Sequence, residues 1–114
     1  MKTVVKKKRH PSPFRYKVVR QIRDTIGAYQ PERVYLFGSY ARNEADDLSD
    51  VDLVVIKNTE DDFFERIRQV VKILNLPRAI DVLVYTPDEF REMLERGNAF
   101  AEMIVEEGVT IYER

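Results

Sequence analysis

The chain contains no cysteine among its 114 residues, so disulfide bonds and thiolate metal sites are excluded. No apolar run approaches the roughly 20 residues that a membrane-spanning helix requires. The segment from Met1 to His10 is basic and lacks the apolar core of a signal peptide, which argues against export. We therefore expect a cytoplasmic protein without a membrane segment.

Internal repeats and low-complexity tracts are also absent, apart from a basic N-terminal arm at residues 1–11. A length of 114 residues suffices for one hydrophobic core and not for two. With 44% hydrophobic and 34% charged residues, the composition is that of a soluble globular domain. We predict a single domain at residues 12–114 behind the arm.

The net charge of −1 conceals an uneven distribution, because residues 1–23 contain nine lysines or arginines and no acidic residue. This basic segment could contact RNA or an acidic partner, but a solvated arm followed by the outer face of a helix is the simpler interpretation. The remaining residues are acidic, which argues against extended nucleic-acid binding. The only histidine, His10, lies in the arm and is expected to be exposed rather than catalytic.

Apolar periodicity predicts four helices, near residues 13–28, 61–75, 87–96 and 99–107. The first has its basic residues mainly opposite an apolar stripe, which consists of Phe14, Val18, Ile22 and Ile26. The second has an apolar stripe of Phe63, Ile67, Val70, Val71 and Leu74, which Phe64 and Ile73 broaden. Local signals bound the last two helices: a capping box from Thr86 to Glu89, a stop at Gly97 and a cap at Asn98.

Extended apolar runs predict four strands, near residues 33–37, 51–56, 79–85 and 109–112. Their alternation with the helices predicts an α+β fold, in which helices flank a small mixed β-sheet. The third strand is predicted to be largely buried, and Asp81 is therefore an anomaly within it. A carboxylate at that position must be paired, bound to a metal or placed at an edge in water.

Two carboxylates mark the start of the second predicted strand. Because side chains in a strand alternate between faces, Asp50 and Asp52 project to the same face, about 7 Å apart along the backbone. Nothing in the apolar run that follows compensates their mutual repulsion, whereas a divalent cation would. Mg²⁺ prefers one or two carboxylates together with phosphate oxygens of a substrate. The pair therefore predicts a metal site.

The first predicted strand ends at Gly38 and Ser39. Glycine permits a sharp turn and a close approach of the backbone to a ligand. Ser39 could cap a short helix that begins near Tyr40, and the free N–H groups at its start would bind an anion. Residues 40–49 form a loop between the two strands. Its start, at Gly38 and Ser39, suits phosphates, and its end, at Asp50 and Asp52, suits the metal that accompanies them.

The spacing of these residues resembles a known motif. Gly38-Ser39, ten further residues and then Asp50-x-Asp52 are similar to the motif of the minimal nucleotidyltransferases of the DNA polymerase β superfamily. Residues 38–42 and 49–53 are most similar to the antitoxins of bacterial toxin–antitoxin pairs whose toxin is a HEPN-domain protein. Asn43 departs from the motif, because glycine is commoner there, but asparagine tolerates positive φ better than most residues.

The resemblance implies a polymerase β-like fold with a third catalytic carboxylate on the strand after the second helix, where Asp81 is the only acidic residue. Asp50 and Asp52 would hold two Mg²⁺ ions about 3.5–4 Å apart, with Asp81 sharing a metal or accepting the proton of the attacking hydroxyl. Gly38 and Ser39 would position the phosphates of ATP. Arg42 is either a surface charge or a triphosphate ligand.

The resemblance also implies AMP transfer onto a tyrosine of a HEPN-type toxin, which silences the toxin. The chain ends soon after the predicted core, so we expect the partner to bring its own hydroxyl. Two alternatives are nucleotidyl transfer to a small molecule such as an aminoglycoside, and neutralisation of the partner by binding alone. The oligomeric state stays open, and a homo-oligomer is one possibility.

Three residues near the motif have simpler interpretations. Tyr40 could stack on a nucleobase, but we expect it to cover the turn. Asp46 and Asp47 are expected to keep the loop solvated. A calcium-binding loop is conceivable there, but no further ligands follow at the required spacing.

Overall fold

The structure is a computed structural model and describes residues 12–114. The predicted basic arm at residues 1–11, including His10, lies outside the described residues, and the domain boundary at residue 12 stays a prediction. Within residues 12–114, no helix is long and apolar enough to cross a membrane.

The described residues form a four-stranded sheet with four α-helices. The strands are β1 (Arg33–Phe37), β2 (Val51–Ile56), β3 (Ile80–Tyr85) and β4 (Val109–Glu113). The helices are α1 (Lys17–Thr25), α2 (Phe63–Leu74), α3 (Pro87–Glu95) and α4 (Ala99–Glu107). In the sheet order β3-β2-β1-β4, β1 is antiparallel to both neighbours and β3 is parallel to β2. The predicted α+β fold with a small mixed sheet is confirmed.

Both faces of the sheet are covered, because the central strands are apolar on both sides. On one face, Val34, Leu53 and Val84 pack with buried residues of α1 and α2. On the other face, Val54 packs with Phe90 of α3 and with residues of α4. Side chains of successive strand residues point to opposite faces, so a continuous apolar run such as that of β2 fills two cores.

The first predicted helix is divided in three. Pro13–Arg15 form a 3₁₀ turn, α1 follows an extended Tyr16, and Ile26–Tyr29 form a second 3₁₀ segment. The prediction of one helix at residues 13–28 was wrong because Tyr16 leaves the helical conformation, and its ring packs edge-on against Tyr40 at 4.8 Å.

The second helix buries only part of the predicted apolar stripe. Val70 and Leu74 are buried, but Phe63, Phe64 and Val71 are 36%, 69% and 43% exposed. Arg66, which is only 7% exposed, occupies the core side instead. The predicted stripe was too wide for the surface that the sheet and α1 offer, so part of it faces solvent.

The caps predicted for the last two helices are confirmed. Thr86 and Glu89 form the capping box of α3, and Asn98 caps α4 by accepting from the N–H of Ala101 at 3.0 Å. Gly97 follows α3 with a φ of 71°.

The prediction that β3 is largely buried was wrong, because β3 lies at the edge of the sheet and Asp81 is exposed.

Candidate active site

Gly38 and Asp52 are packed against each other at the end of β1. The antiparallel register pairs Phe37 with Asp52, so the next residue, Gly38, passes beside the Asp52 side chain. A Cβ atom at position 38 would overlap a carboxylate oxygen of Asp52 and lie 3.1 Å from its carboxyl carbon. The φ of Gly38 is +73°, which also favours glycine. The glycine therefore makes room for a carboxylate of the same chain.

The turn after Gly38 is a single helical turn and not the short helix that was predicted near Tyr40. The N–H of Arg42 donates to the Gly38 carbonyl at 3.1 Å, and the N–H of Glu44 donates to the Ser39 carbonyl at 2.9 Å. Asn43 then adopts a left-handed φ of 61°, which ends the turn. The expectation that asparagine accommodates positive φ at this position is confirmed.

This turn leaves backbone donors free for a ligand. Among the described residues, the N–H groups of Ser39, Tyr40 and Ala41 donate to no partner. The predicted cap is absent as well, because the Ser39 hydroxyl makes no hydrogen bond within residues 12–114. Unpaired N–H groups on one turn, together with a free hydroxyl, are chemically suited to hydrogen-bond an anion such as phosphate.

The three predicted carboxylates lie at or next to the starts of β2 and β3. The parallel register places Asp52 directly beside Asp81, and Asp50 precedes β2 by one residue. Burial raises the pKa of Asp52 to about 6, with further contributions from the charge of Asp81, a hydrogen bond to Asp81 and the charge of Asp50. The structure therefore places acidic neighbours beside a partly buried carboxyl group, which disfavours its charged form.

The donor set fits a hard cation that is shared with a substrate. Within residues 12–114, no three acidic or histidine side chains are arranged to hold a metal by themselves. Mg²⁺ does not require three protein ligands, because it is commonly bound by one or two carboxylates plus substrate phosphate oxygens. Asp52, with its raised pKa, has unfavourable negative neighbours that a cation would offset.

Three further residues follow Ser39 in the loop, and one of them is close to the carboxylates. Arg42 is exposed and its Nε donates to Glu44 at 3.1 Å, yet its charge lowers the pKa of Asp52, so it is close to the carboxylates. Tyr40 is only 3% exposed, and the expectation that it covers the turn is confirmed. Asp46 accepts from the N–H of Leu48 at 2.9 Å, and it therefore stabilises the loop internally.

Sequence reasoning missed the role of Arg78. Its guanidinium donates to the hydroxyl of Tyr40, which joins the turn after β1 to the segment that leads into β3. Arg78 is three residues before Asp81, and no periodic pattern relates it to a tyrosine 38 residues away. The one available signal was a basic residue shortly before the strand that contains Asp81.

The described residues therefore form a small α+β domain with a mixed sheet and acidic residues at the starts of two adjacent parallel strands. Residues 20–114 match the family model described as "Polymerase beta, Nucleotidyltransferase". The chain therefore belongs to the polymerase β nucleotidyltransferase family.

Two solved structures are similar in fold. A candidate nucleotidyltransferase from Sulfolobus solfataricus has a TM-score of 0.59 and 21% sequence identity, covering 90% of this chain and 84% of that chain. A toxin–antitoxin structure with AMP-PNP has a TM-score of 0.53 and 21% identity, covering 86% of this chain and 72% of that chain. No curated protein sequence matches this chain.

Proposed function

We propose that the protein is a Mg²⁺-dependent nucleotidyltransferase that transfers AMP from ATP to a tyrosine hydroxyl of a HEPN-type toxin and so acts as its antitoxin. The observation that supports transfer best is the pairing of Asp52 with Asp81 on adjacent parallel strands, beside the turn at Gly38. A nucleotide triphosphate at this place needs hydrogen-bond donors for its phosphate oxygens and ligands for its cation. The turn at Gly38 offers free N–H groups, and the carboxylates offer oxygen ligands.

Each residue has a proposed part in the reaction. The turn at Gly38 and Ser39 binds phosphate oxygens through its free N–H groups, and Arg42 leaves Glu44 to contact the triphosphate. Asp50 and Asp52 hold Mg²⁺, and Asp81 shares this role or accepts the proton of the attacking hydroxyl. Bound Mg²⁺ would neutralise the triphosphate and lower the pKa of that hydroxyl.

The bonds that form and break follow from this arrangement. The acceptor oxygen bonds to the α-phosphorus of ATP while the bond from that phosphorus to the β-phosphate bridge breaks. Pyrophosphate leaves opposite the incoming oxygen, and the hydroxyl proton passes to a carboxylate. The acceptor is AMPylated, and the enzyme returns to its starting state when the proton and pyrophosphate depart.

The partner assignment is supported by the resemblance of residues 38–42 and 49–53 to HEPN-linked antitoxins, and by the fold similarity to a toxin–antitoxin structure. Asp81 is exposed on an edge strand of the sheet, where a large acceptor is not sterically excluded. A protein surface can approach an exposed carboxylate directly.

The test uses labelled ATP, Mg²⁺ and the protein encoded by the adjacent gene. We expect label on a tyrosine of that protein with the wild-type chain. Asp52→Asn should lose both ATP–Mg²⁺ binding and transfer, because it removes a proposed metal ligand. Asp81→Asn keeps the shape of the side chain and should bind ATP–Mg²⁺ within roughly tenfold while transfer falls by about 10²–10⁴, the usual contribution of a positioned base.

The matched control is Asp47→Asn, which alters an exposed carboxylate of the same loop and should leave transfer unchanged. Normal transfer by Asp81→Asn would show that this residue is structural. If the adjacent protein is inactivated without label, the protein neutralises by binding alone. Label on an aminoglycoside and not on a protein would favour the small-molecule alternative.

A further inference from the structure

An aromatic patch lies at the opposite end of β3 from the candidate active site. Phe63 and Phe64 at the start of α2 are 36% and 69% exposed, and their ring centroids are 5.7 Å apart. The Phe63 ring also lies 6.1 Å from the ring of Tyr85, the last residue of β3. Neighbouring exposed aromatic rings form a contiguous apolar patch, and such patches are typical of interaction sites.

The patch borders an open groove of about 300 Å³ between α2 and α3. Phe63, Tyr85 and Met93 form its apolar lining. Two acidic residues in the lining are already paired: Glu89 accepts from the buried Arg66, and Glu92 pairs with Arg96. The groove therefore offers an apolar, charge-compensated interior with room for one or two bulky side chains.

The segment around the exposed phenylalanines, residues 60–65, is acidic, and we call it the acidic rim. Residues 60–65 contain four acidic residues around Phe63 and Phe64 and no basic residue. Among the described residues, Glu60, Asp61 and Asp62 form no ion pair, and the Asp61 and Asp62 carboxylates accept only from the side-chain amide of Gln69 and the N–H of Glu65. A ligand that fits this surface therefore has an apolar anchor flanked by positive charge.

The charge also selects the class of occupant. A second copy docked through the same surface would oppose two acidic rims, which repel each other. A small molecule in the groove would not contact Phe64, which is 69% exposed beside it. A protein with a basic and apolar surface can fill the groove, cover the exposed Phe64 ring and pair with the acidic rim at the same time.

We infer that this surface, defined as Phe63, Phe64, the groove and the acidic rim, docks the acceptor protein through a basic segment with a bulky apolar anchor. The inference rests on the proposed function, since it names the surface that holds the acceptor. Asp81 and Tyr85 are four residues apart on β3, which corresponds to about 13 Å. An acceptor anchored at the groove could therefore present a hydroxyl to the carboxylates along the edge of the sheet.

The experiment measures binding of the purified protein from the adjacent gene to the full chain, with and without Mg²⁺ and ATP. Phe64→Ala should weaken binding at least tenfold, because truncation of an exposed aromatic anchor removes a typical interface hot spot. Phe64→Trp, which keeps an aromatic ring, should bind within threefold of wild type. Glu60→Lys should weaken binding several-fold and reduce its dependence on NaCl concentration.

The matched control is Val105→Ala, which removes another exposed apolar side chain, 48% exposed on α4, and should change nothing. ATP–Mg²⁺ affinity and the melting temperature should be unchanged in every variant, because none of these residues contacts the carboxylates. If Phe64→Ala binds the acceptor within twofold of wild type, the docking surface is elsewhere and the inference is wrong.

Other outcomes separate this inference from the proposed function. Docking that depends on Phe64 without any transfer would keep the docking surface and refute AMP transfer. Transfer to a small molecule with no binding of the adjacent protein would keep nucleotidyl transfer and refute docking. Self-association of the wild type that is lost in Phe64→Ala would assign the patch to a homo-oligomer and also overturn the inference.

Discussion

At the scale of single residues, position 38 has no space for a side chain. Gly38→Ala introduces a methyl group against the Asp52 carboxylate at a residue whose φ is +73°. We expect the free energy of unfolding to fall by roughly 2–4 kcal/mol, from steric overlap plus backbone strain. Urea denaturation of both proteins measures this difference.

A double-mutant cycle separates the two causes. In an Asp52→Ala background the carboxylate is gone, and a methyl group at position 38 lies 3.5 Å from the remaining Cβ, an ordinary contact. There Gly38→Ala should cost only the left-handed φ, about 1–2 kcal/mol. Equal costs in both backgrounds would mean that Asp52 has moved and that backbone strain alone explains the glycine.

The raised pKa of Asp52 has a consequence for stability. Its pKa is about 6 in the fold, against 3.8 ordinarily, because of burial, the adjacent Asp81 and the charge of Asp50. The folded state therefore binds the proton more tightly than the unfolded state, so this contribution to stability is full below pH 3.8 and is lost as the pH rises through 6.

Asp52→Asn removes this penalty and should melt a few degrees above wild type at pH 7.5 in EDTA, with a smaller difference at pH 4.5. Asp47→Asn, in the exposed part of the loop, should show no such pH-dependent gain. Melting curves at the two pH values suffice. A wild-type protein that is more stable than Asp52→Asn at pH 7.5 without metal would show that the carboxylate is compensated in the fold.

At the scale of elements, Arg66 connects three of them. From α2, its Nη1 donates to the Val84 carbonyl on the free edge of β3 at 3.2 Å and to Glu89 of α3 at 2.6 Å. Its Nε donates to the Asp61 carbonyl at 2.8 Å. The hydrogen bond from Arg66 to Glu89 is the chief cause of the lowered pKa of Glu89. The ion pair between them is therefore lost as the pH falls through that lowered pKa.

Arg66→Met keeps the buried aliphatic stem and removes all of these bonds. We expect a loss of about 2–3 kcal/mol in the free energy of unfolding, less than for a fully buried pair because the Glu89 side chain is 46% exposed. The control is Arg91→Met, whose pairing with Asp88 is exposed and should contribute less than about 0.5 kcal/mol. Equal losses in urea denaturation would show that Arg66 acts only by packing.

The elements that the sequence predicted well have local causes. The capping box at Thr86 and the cap at Asn98 involve residues three apart, so the local sequence pattern reveals them. The position of β3 at the edge and the extended Tyr16 depend on contacts between distant segments. A stripe of apolar residues does not show which of its members will meet another element, and Phe63 and Phe64 were therefore assigned to the core.

The candidate site was predictable to a similar extent. Alternation along a strand placed Asp50 and Asp52 together, and the family resemblance added Asp81. The close packing of Gly38 on Asp52 and the bond from Arg78 to Tyr40 depend on strand register and on a contact across 38 residues. Neither has a periodic signature, so single-sequence reasoning could not find them.

At the scale of the whole molecule, the candidate site brings together the end of β1 and the starts of β2 and β3. A ligand that binds only the folded state stabilises it by RT ln(1 + [L]/Kd), or about 2.7 kcal/mol at 100 times Kd. For a domain of this size, that corresponds to a rise of roughly 10–20 °C in the melting temperature. Thermal melting therefore reports binding without requiring an acceptor protein.

The carboxylates predict which ligands produce this rise. ATP alone would bring four negative charges to a cluster in which Asp52 already has acidic neighbours, so in EDTA the shift should be small. Mg²⁺ alone should bind weakly, because no three described side chains form a complete metal site. Only ATP with Mg²⁺ or Mn²⁺ should give the full shift, and Asp52→Asn should abolish it. A full shift with ATP in EDTA would mean that the phosphates are held by the turn at Gly38 without a metal, and that Asp50 and Asp52 do not act as metal ligands.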